Sequence, residues 1–271
     1  MIVRYSLLDP TKNRTVLAET PVEIADQPAV AARLMQAEPA AEQVGFLFSE
    51  KDGCPVGFRM AGGEFCGNAT MSAAAWYANS IGLPAMETAL IPVLASGVWS
   101  AVPVSVTAQS DGSYYCRVSM PRACSITEET LSFDGKTFRL PVVRLPGAVH
   151  IVFEGSIPDA DAERAIRLWC KDLGADCLGI LFTDFEKQTM RPLVYVPAAD
   201  TLFWENACAS GTTAVGAYLA RRKNADVSVT FSEPGGVLRI DARQNGELFL
   251  YGTVRIEKIG TIDLADLRNL Q

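Results

Sequence analysis

One short pattern occurs twice in this chain, and it limits the fold more than any other feature. The stretch Gly62-Gly63-Glu64-Phe65-Cys66-Gly67-Asn68-Ala69-Thr70 returns as Glu205-Asn206-Ala207-Cys208-Ala209-Ser210-Gly211-Thr212. With the cysteines aligned, both copies read Cys, small, Asn or Ser, small, Thr. Each runs on into an Ala-rich helical stretch with an aromatic at the same offset, Trp76 in one and Tyr218 in the other. The cysteines lie 142 residues apart (208 − 66), about half of a 271-residue chain. The spacing predicts one half-molecule used twice, each half presenting a thiol at the start of a helix.

A thiol in that place is chemically loaded. The first N–H groups of a helix have no partner within it, and the helix dipole adds partial positive charge. Both favour a thiolate and form a seat for a carboxylate. Gly67, Ala69, Ala209 and Gly211 leave room for a substrate to reach the backbone. Two such helix starts facing each other across a cleft would hold an amino acid's carboxylate, with one sulfur on each side of its α-carbon.

Composition narrows the alternatives. A hydrophobic content of 49% with 20% charged residues is that of a globular chain. A net charge of −7 argues against nucleic acid or an anionic membrane as partner. The N-terminus lacks the apolar core of a secretory signal. The uncharged run from Thr88 to Ser110 is broken by Pro92, Gly97 and Pro103, so it reads as loop and strand rather than a membrane span. Seven cysteines without a CxxC pair suggest neither a disulfide framework nor a zinc site, and point to the reducing cytoplasm. The one histidine, His150, is the only imidazole available to any Ser–His or Cys–His design.

Along the chain, strands are expected at 3–7, 15–18 and 44–48, with a helix over 27–35. After the Cys66 helix, strands at 102–108 and 114–120 flank the hairpin signal Gln109-Ser110-Asp111-Gly112. Met120-Pro121-Arg122 marks a boundary. It divides the chain into an N-terminal lobe, 1–120, carrying Cys66, and a C-terminal lobe, 121–271, carrying Cys208, with the last residues packing back on the first. The second half is expected to hold strands at 142–143, 150–153, 179–182, 193–196 and 201–204, then 227–231, 237–240 and 248–256. An amphipathic helix is expected over 159–170, with Ala165, Ile166 and Trp169 on one face. Glu233-Pro234-Gly235-Gly236 reads as a tight turn. Asn13 in a turn, with Glu42 and Gln43 at a strand entrance, is either solvated edge or substrate contact.

Cys116, Cys124, Cys170 and Cys177 read as small buried hydrophobes. Cys66 and Cys208 do not, because both sit among Gly, Ala, Ser and Asn at matched helix starts. One thiolate would remove the α-proton and the opposite thiol would return one to the other face, inverting the centre. No cofactor is required, and the sequence offers no evident lysine site for pyridoxal phosphate. A non-catalytic amino-acid binder is the competing class, but it would not need two such thiols.

The motifs Cys66-Gly67-Asn68, Ala207-Cys208-Ala209-Ser210-Gly211 and Pro234-Gly235-Gly236 resemble the diaminopimelate epimerase superfamily of cofactor-independent two-cysteine racemases. Within it, Glu42-Gln43-Val44-Gly45-Phe46, the run from Glu64 to Ser72, Tyr195-Val196-Pro197 and Trp204-Glu205-Asn206-Ala207-Cys208 are similar to the histidine racemases of opine-metallophore pathways. The resemblance implies an α/β (α+β) fold of two pseudo-symmetric lobes, each a curved, mostly antiparallel sheet around a central helix. It implies Cys66 and Cys208 as the acid/base pair, and Gly67, Asn68, Ala209 and Ser210 as the cradle of the α-carboxylate. Asn13, Glu42, Gln43, Glu64, Glu205 and Asn206 complete the expected substrate contacts. No metal, no cofactor, a small amino-acid substrate and a homodimer are expected.

The departures bear on substrate. No arginine precedes the second cysteine where diaminopimelate epimerase grips a distal carboxylate. Ala148, in Gly147-Ala148-Val149-His150, stands where that enzyme has a binding asparagine, and a further asparagine position falls near Val196-Pro197. Diaminopimelate should therefore be rejected. Glu42, Glu64 and Glu205 suit a side chain that donates hydrogen bonds, such as imidazole. An epimerase of another amino acid is the alternative within the superfamily.

Overall fold

The computed structural model describes residues 1–48 and 53–264. Two compact units divide the chain, Met1–Val118 together with the C-terminal stretch from Tyr251, and Ser119–Leu250. The expected lobes divided at residue 120, with the last residues packing back on the first lobe; residues 265–271 lie outside the described residues.

The first unit is an eight-stranded closed barrel. Its strands are β1 (Ile2–Pro10), β2 (Thr15–Ala18), β3 (Gln43–Phe48), β4 (Val56–Met60), β5 (Thr88–Ala95), β6 (Val102–Ala108) and β7 (Tyr114–Met120), completed by the distal part of β16 (Leu248–Asp263). They pair in that order, and β16 returns to β1 in antiparallel register, Tyr5 opposite Gly260. Strands β6 and β7 bury every second residue, the period of a half-covered pleat. The Thr88–Ser110 run, expected to hold one strand, holds two, β5 and β6, with Pro92 and Pro103 opposite each other in their ladder. β4 was not expected at all.

The second unit follows the path β8 (Ser125–Phe133), β9 (Lys136–Leu145), β10 (Ala148–Glu154), β11 (Leu178–Asp184), β12 (Thr189–Val196), β14 (Val227–Glu233), β15 (Gly236–Ala242), then the start of β16. β13 (Thr201–Trp204) pairs with β12 alone among the described residues. The β8–β9 hairpin is longer than the expected strand at 142–143. Asp134 and Gly135 turn it with φ of 51° and 73°, as a two-residue hairpin turn requires.

Four helices are described, and each crosses between two parallel strands, the connection that parallel pairing requires. α1 (Gln27–Ala37) joins β2 to β3 and α2 (Gly67–Ser80) joins β4 to β5. α3 (Asp159–Asp172) joins β10 to β11, and α4 (Ala209–Lys223), with β13 before it, lies between β12 and β14. Each unit thus holds two such crossovers.

The helices are of two physical kinds. α1 buries Gln27, Val30, Ala31 and Leu34, a single stripe at helical spacing. α3 does the same with Ala162, Ala165, Ile166, Trp169 and Cys170, and carries its charges outward. α2 has no charged residue and is buried from Gly67 through Ala75. It packs against β1, β2, β4, β5 and β6, and so lies within the barrel. α4 is equally enclosed until Arg221-Arg222-Lys223, which complement its C-terminal dipole. It packs on β9, β10, β11, β14 and β15. Of the cysteines read as buried hydrophobes, Cys116 and Cys170 are buried. Cys124 is exposed and Cys177 half-buried, since both lie in polar connections before strands.

Candidate active site

In the first unit, Cys66 is the N-cap residue of α2. Its backbone is extended (φ −130°, ψ 115°), and its Sγ accepts from the Ala69 N–H at 3.4 Å. The sulfur therefore does what a serine oxygen usually does at this position. Thr70 closes the turn by donating its hydroxyl to the Cys66 carbonyl at 2.7 Å. Cys66 is half-buried.

A polar chain leads away from this sulfur. The Cys66 thiol donates to Gln43 Oε1 at 3.1 Å. Gln43 Nε2 donates to Asn13 Oδ1 at 2.5 Å and to Thr15 Oγ1 at 2.7 Å, and Asn13 Nδ2 donates to Glu42 Oε2 at 2.8 Å. These bonds fix which end of the Gln43 amide meets the sulfur. Adjacent strands β2 and β3 set the chain up, with Thr15 and Gln43 in register. Asn13, Glu42, Gln43 and Cys66, read separately from the sequence, are thus brought into one network.

Glu64, two residues before Cys66, curls over Gly62. Its Oε2 is buried without a hydrogen-bond partner. Burial raises its pKa above the usual carboxylate value, with its own backbone N–H and then Arg59 opposing. Gly67 and Asn68 open α2 and are buried.

In the second unit Cys208 is the N-cap residue of α4, also extended (φ −119°, ψ 100°), but its sulfur makes no capping bond. Its Sγ lies 3.6 Å from Ser210 Oγ, which lies 3.0 Å from His150 Nε2. His150 is 1% exposed, and burial lowers its pKa to about 4, so the ring is neutral. Its Nδ1 has no partner and rests against Gly179, where a Cβ would come within 2.4 Å. An unpaired acceptor costs less there than an unpaired donor. The network therefore assigns the ring proton to Nε2, which donates to Ser210, leaving the Ser210 hydroxyl to donate to Cys208.

Two carboxylates work against that hydroxyl. The Cys208 thiol is held well above its ordinary value by burial first, then by Glu205, with Glu233 adding; Ser210 lowers it. Glu233 Oε2 accepts the Cys208 N–H at 2.7 Å, and its Oε1 accepts the Thr212 hydroxyl at 2.6 Å. Burial raises Glu233 to about 8, its two hydrogen bonds opposing and Glu205 adding. Asn206 is tied by its carbonyl to the Gly235 N–H at 2.7 Å, which docks the Pro-Gly-Gly turn beside the cysteine loop. Ala209, the first helical residue, is buried.

The structure thus gathers the expected residues into two clusters, one in each unit. His150, Thr212 and Glu233 were not among them. His150 sits in a strand that reads as apolar, and Glu233 in a segment that reads only as a turn. Their partners are distant in sequence, so no local spacing marks them. Among the described residues, no group of three or more His, Cys, Asp or Glu side chains is placed to hold a metal ion. Among the described residues, no helix is long and apolar enough to cross a membrane.

The fold is shared with isomerase-like structures. A probable proline racemase from Agrobacterium radiobacter K84 superposes with a TM-score of 0.73 at 11% identity, covering 97% of this chain and 94% of that one. A hydroxyproline epimerase from Agrobacterium vitis gives 0.72 at 10% identity, covering 98% and 93%. At that identity the likeness defines the fold alone.

Sequence relationship goes further. Residues 2–262 match the family model described as the histidine racemase CntK N-terminal domain, and the chain belongs to that family. A histidine racemase of Fusobacterium nucleatum is 31% identical over 271 residues, covering 96% of this chain and 97% of that protein. One of Staphylococcus aureus is 27% identical over 255 residues, covering 91% of each.

Proposed function

We propose that this chain is an isomerase that interconverts L- and D-histidine without a cofactor, with Cys66 and Cys208 as its two bases. One sulfur, as thiolate, takes the α-proton and becomes a thiol, and the C–H electron pair stays on carbon. The other thiol gives its proton to the opposite face and becomes the thiolate. Each turnover leaves the thiol and thiolate exchanged, and the reverse reaction restores them. The observation that carries this reading is the position of both cysteines as N-caps of enclosed helices, in a chain whose relatives are histidine racemases.

N–H groups at the starts of α2 and α4 would receive the carboxylate, through Gly67 and Asn68 and through Ala209 and Ser210, and stabilise charge that builds there. Glu64 supports the choice of histidine, since a buried carboxylate oxygen without a donor can accept an imidazole N–H. Glu42, Gln43, Asn13, Glu205 and Asn206 complete the substrate's surroundings in this reading. Descent from a diaminopimelate epimerase-like ancestor by duplication into two pseudo-symmetric lobes belongs to the same proposal, supported by the two helix crossovers in each unit. So do a homodimer, a cytoplasmic setting and supply of D-histidine to metallophore assembly.

The test is incubation of the protein with a panel of L-amino acids and diaminopimelate in deuterated water. Chiral chromatography and NMR then read configuration and α-deuteration. Histidine should lose optical activity and gain α-deuterium, and diaminopimelate should do neither. Unchanged histidine alongside turnover of another amino acid would overturn the assignment.

A further inference from the structure

We propose that Glu233 is a positioning residue that governs proton release from Cys208. The proposal rests on the reading of Cys208 as an acid/base group and adds a residue that no comparison assigns.

The two cysteine-capped helix starts differ. At α2 the cysteine sulfur caps the helix, and the threonine four residues on bonds back to the cysteine carbonyl. At α4 the sulfur caps nothing, and the matching Thr212 turns away to Glu233. Glu233 comes from the end of β14, yet it takes the N–H of the N-cap residue, the part a glutamate three residues into a helix plays in a capping box. Both its oxygens are engaged on α4, and the side chain is 7% exposed. The sulfur is thereby freed from capping and stays available to Ser210 and to a substrate.

The charge then matters. Cys208 and Thr212 face Glu233 from α4, and Glu205 faces it from the preceding loop; among the described residues no cation acts on it. A buried carboxylate so close to a thiol disfavours the thiolate. The Cys208 N–H and Thr212 hydroxyl favour the ionised form of Glu233, and burial with Glu205 favours the neutral form. The state of Glu233 therefore sets how readily Cys208 gives up its proton.

Glu233→Gln tests this. The amide oxygen can still accept the Cys208 N–H, and Thr212 can accept from the amide nitrogen, so the clamp survives without its charge. The full chain and the variant are alkylated with iodoacetamide over a pH series, with each cysteine's rate followed by peptide mass spectrometry. The midpoint for Cys208 should fall by about one unit, about a tenfold faster reaction at pH values below it, while that of Cys66 stays put. A folded variant with an unmoved Cys208 midpoint would reduce Glu233 to a structural clamp and overturn the proposal. Should Glu233→Gln not fold, Thr212→Val gives the second reading. It removes one donor to the carboxylate, raises Glu233 further, and should shift Cys208 in the same direction; no shift there overturns the proposal equally. Neither measurement needs turnover, so failure of the racemase reading would show separately in the amino-acid panel.

Discussion

At the scale of single residues, the proposed chemistry rests on two sulfurs in unequal surroundings. Cys66 donates to a neutral amide whose orientation is fixed by Asn13 and Thr15, whereas Cys208 lies between a serine hydroxyl and two carboxylates. Replacing either by serine substitutes a far weaker acid with little change in size. Cys66→Ser and Cys208→Ser should each lower racemisation by about 10²–10⁴-fold while the far-UV circular dichroism and melting temperature stay near those of the parent. Near-parental racemisation by either variant would exclude the two-thiol mechanism. Gly211 offers a gentler probe. A Cβ there would stand 2.6 Å from Leu181 Cδ2 and 3.2 Å from the Cys208 sulfur. Gly211→Ala should therefore displace the thiol and cost about 10²-fold in kcat, as small misplacements of reacting groups do. Steady-state kinetics would show it, and an unchanged kcat would mean that the thiol has slack to move.

At the scale of elements, the enclosed helices tolerate nothing extra. Gly216 of α4 faces β15 so closely that a Cβ would meet Ile240 Cγ1 at 2.6 Å and Cγ2 at 2.8 Å. Gly216→Ala should gain helix propensity yet lower stability by about 1–3 kcal/mol through overpacking, read from the denaturant midpoint. A stabilised variant would show that α4 can shift outward. α2 was legible in the sequence because a fourteen-residue segment with no charge, rich in Ala, can only be buried, and α4 by the matching Ala-rich run after Cys208. α1 and α3 were legible from apolar residues at helical spacing. The β8–β9 hairpin was not, because β8 is mostly exposed and shows no alternation, although Asp134-Gly135 carried the turn signal. For the site, the cysteines announced themselves by repetition and Gln43 by its place at a strand entrance. Glu233 could not be found in this way. Its bond to Cys208 spans 25 residues, and a glutamate before Pro-Gly-Gly looks like turn polarity. His150 was noticed only as the lone imidazole, because its role depends on β10 lying across from Gly179 and under α4.

At the scale of the whole molecule, two buried titratable groups pull stability in opposite directions. His150 has a native value of about 4 against an ordinary 6.5. Its folded pKa is depressed, so the unfolded chain binds the extra proton. Stability from this group is full above about pH 6.5 and falls as pH drops toward 4. Glu233 has a native value of about 8 against an ordinary 4.5. Its folded pKa is raised, so its contribution is full below about pH 4.5 and is lost as pH rises toward 8. Each group alone gives a slope of at most about 1.4 kcal/mol per pH unit. Between about pH 4.5 and 6.5 the two slopes cancel. Above 6.5 only Glu233 titrates, and below 4.5 only His150 does, so these two groups should give a plateau in mildly acid solution with a fall on either side. Melting temperatures over a pH series would test it with one variant for each arm. Glu233→Gln should flatten the decline between about pH 6.5 and 8 and leave the acid side unchanged. His150→Gln keeps a side-chain amide to donate to Ser210 but cannot gain a proton, so it should flatten the decline between about pH 4.5 and 4 and leave the alkaline side unchanged. If Glu233→Gln left the alkaline arm as steep as in the parent, Glu233 would have to ionise in the native protein near its ordinary value, and its carboxylate would already be charged against Cys208 at neutral pH.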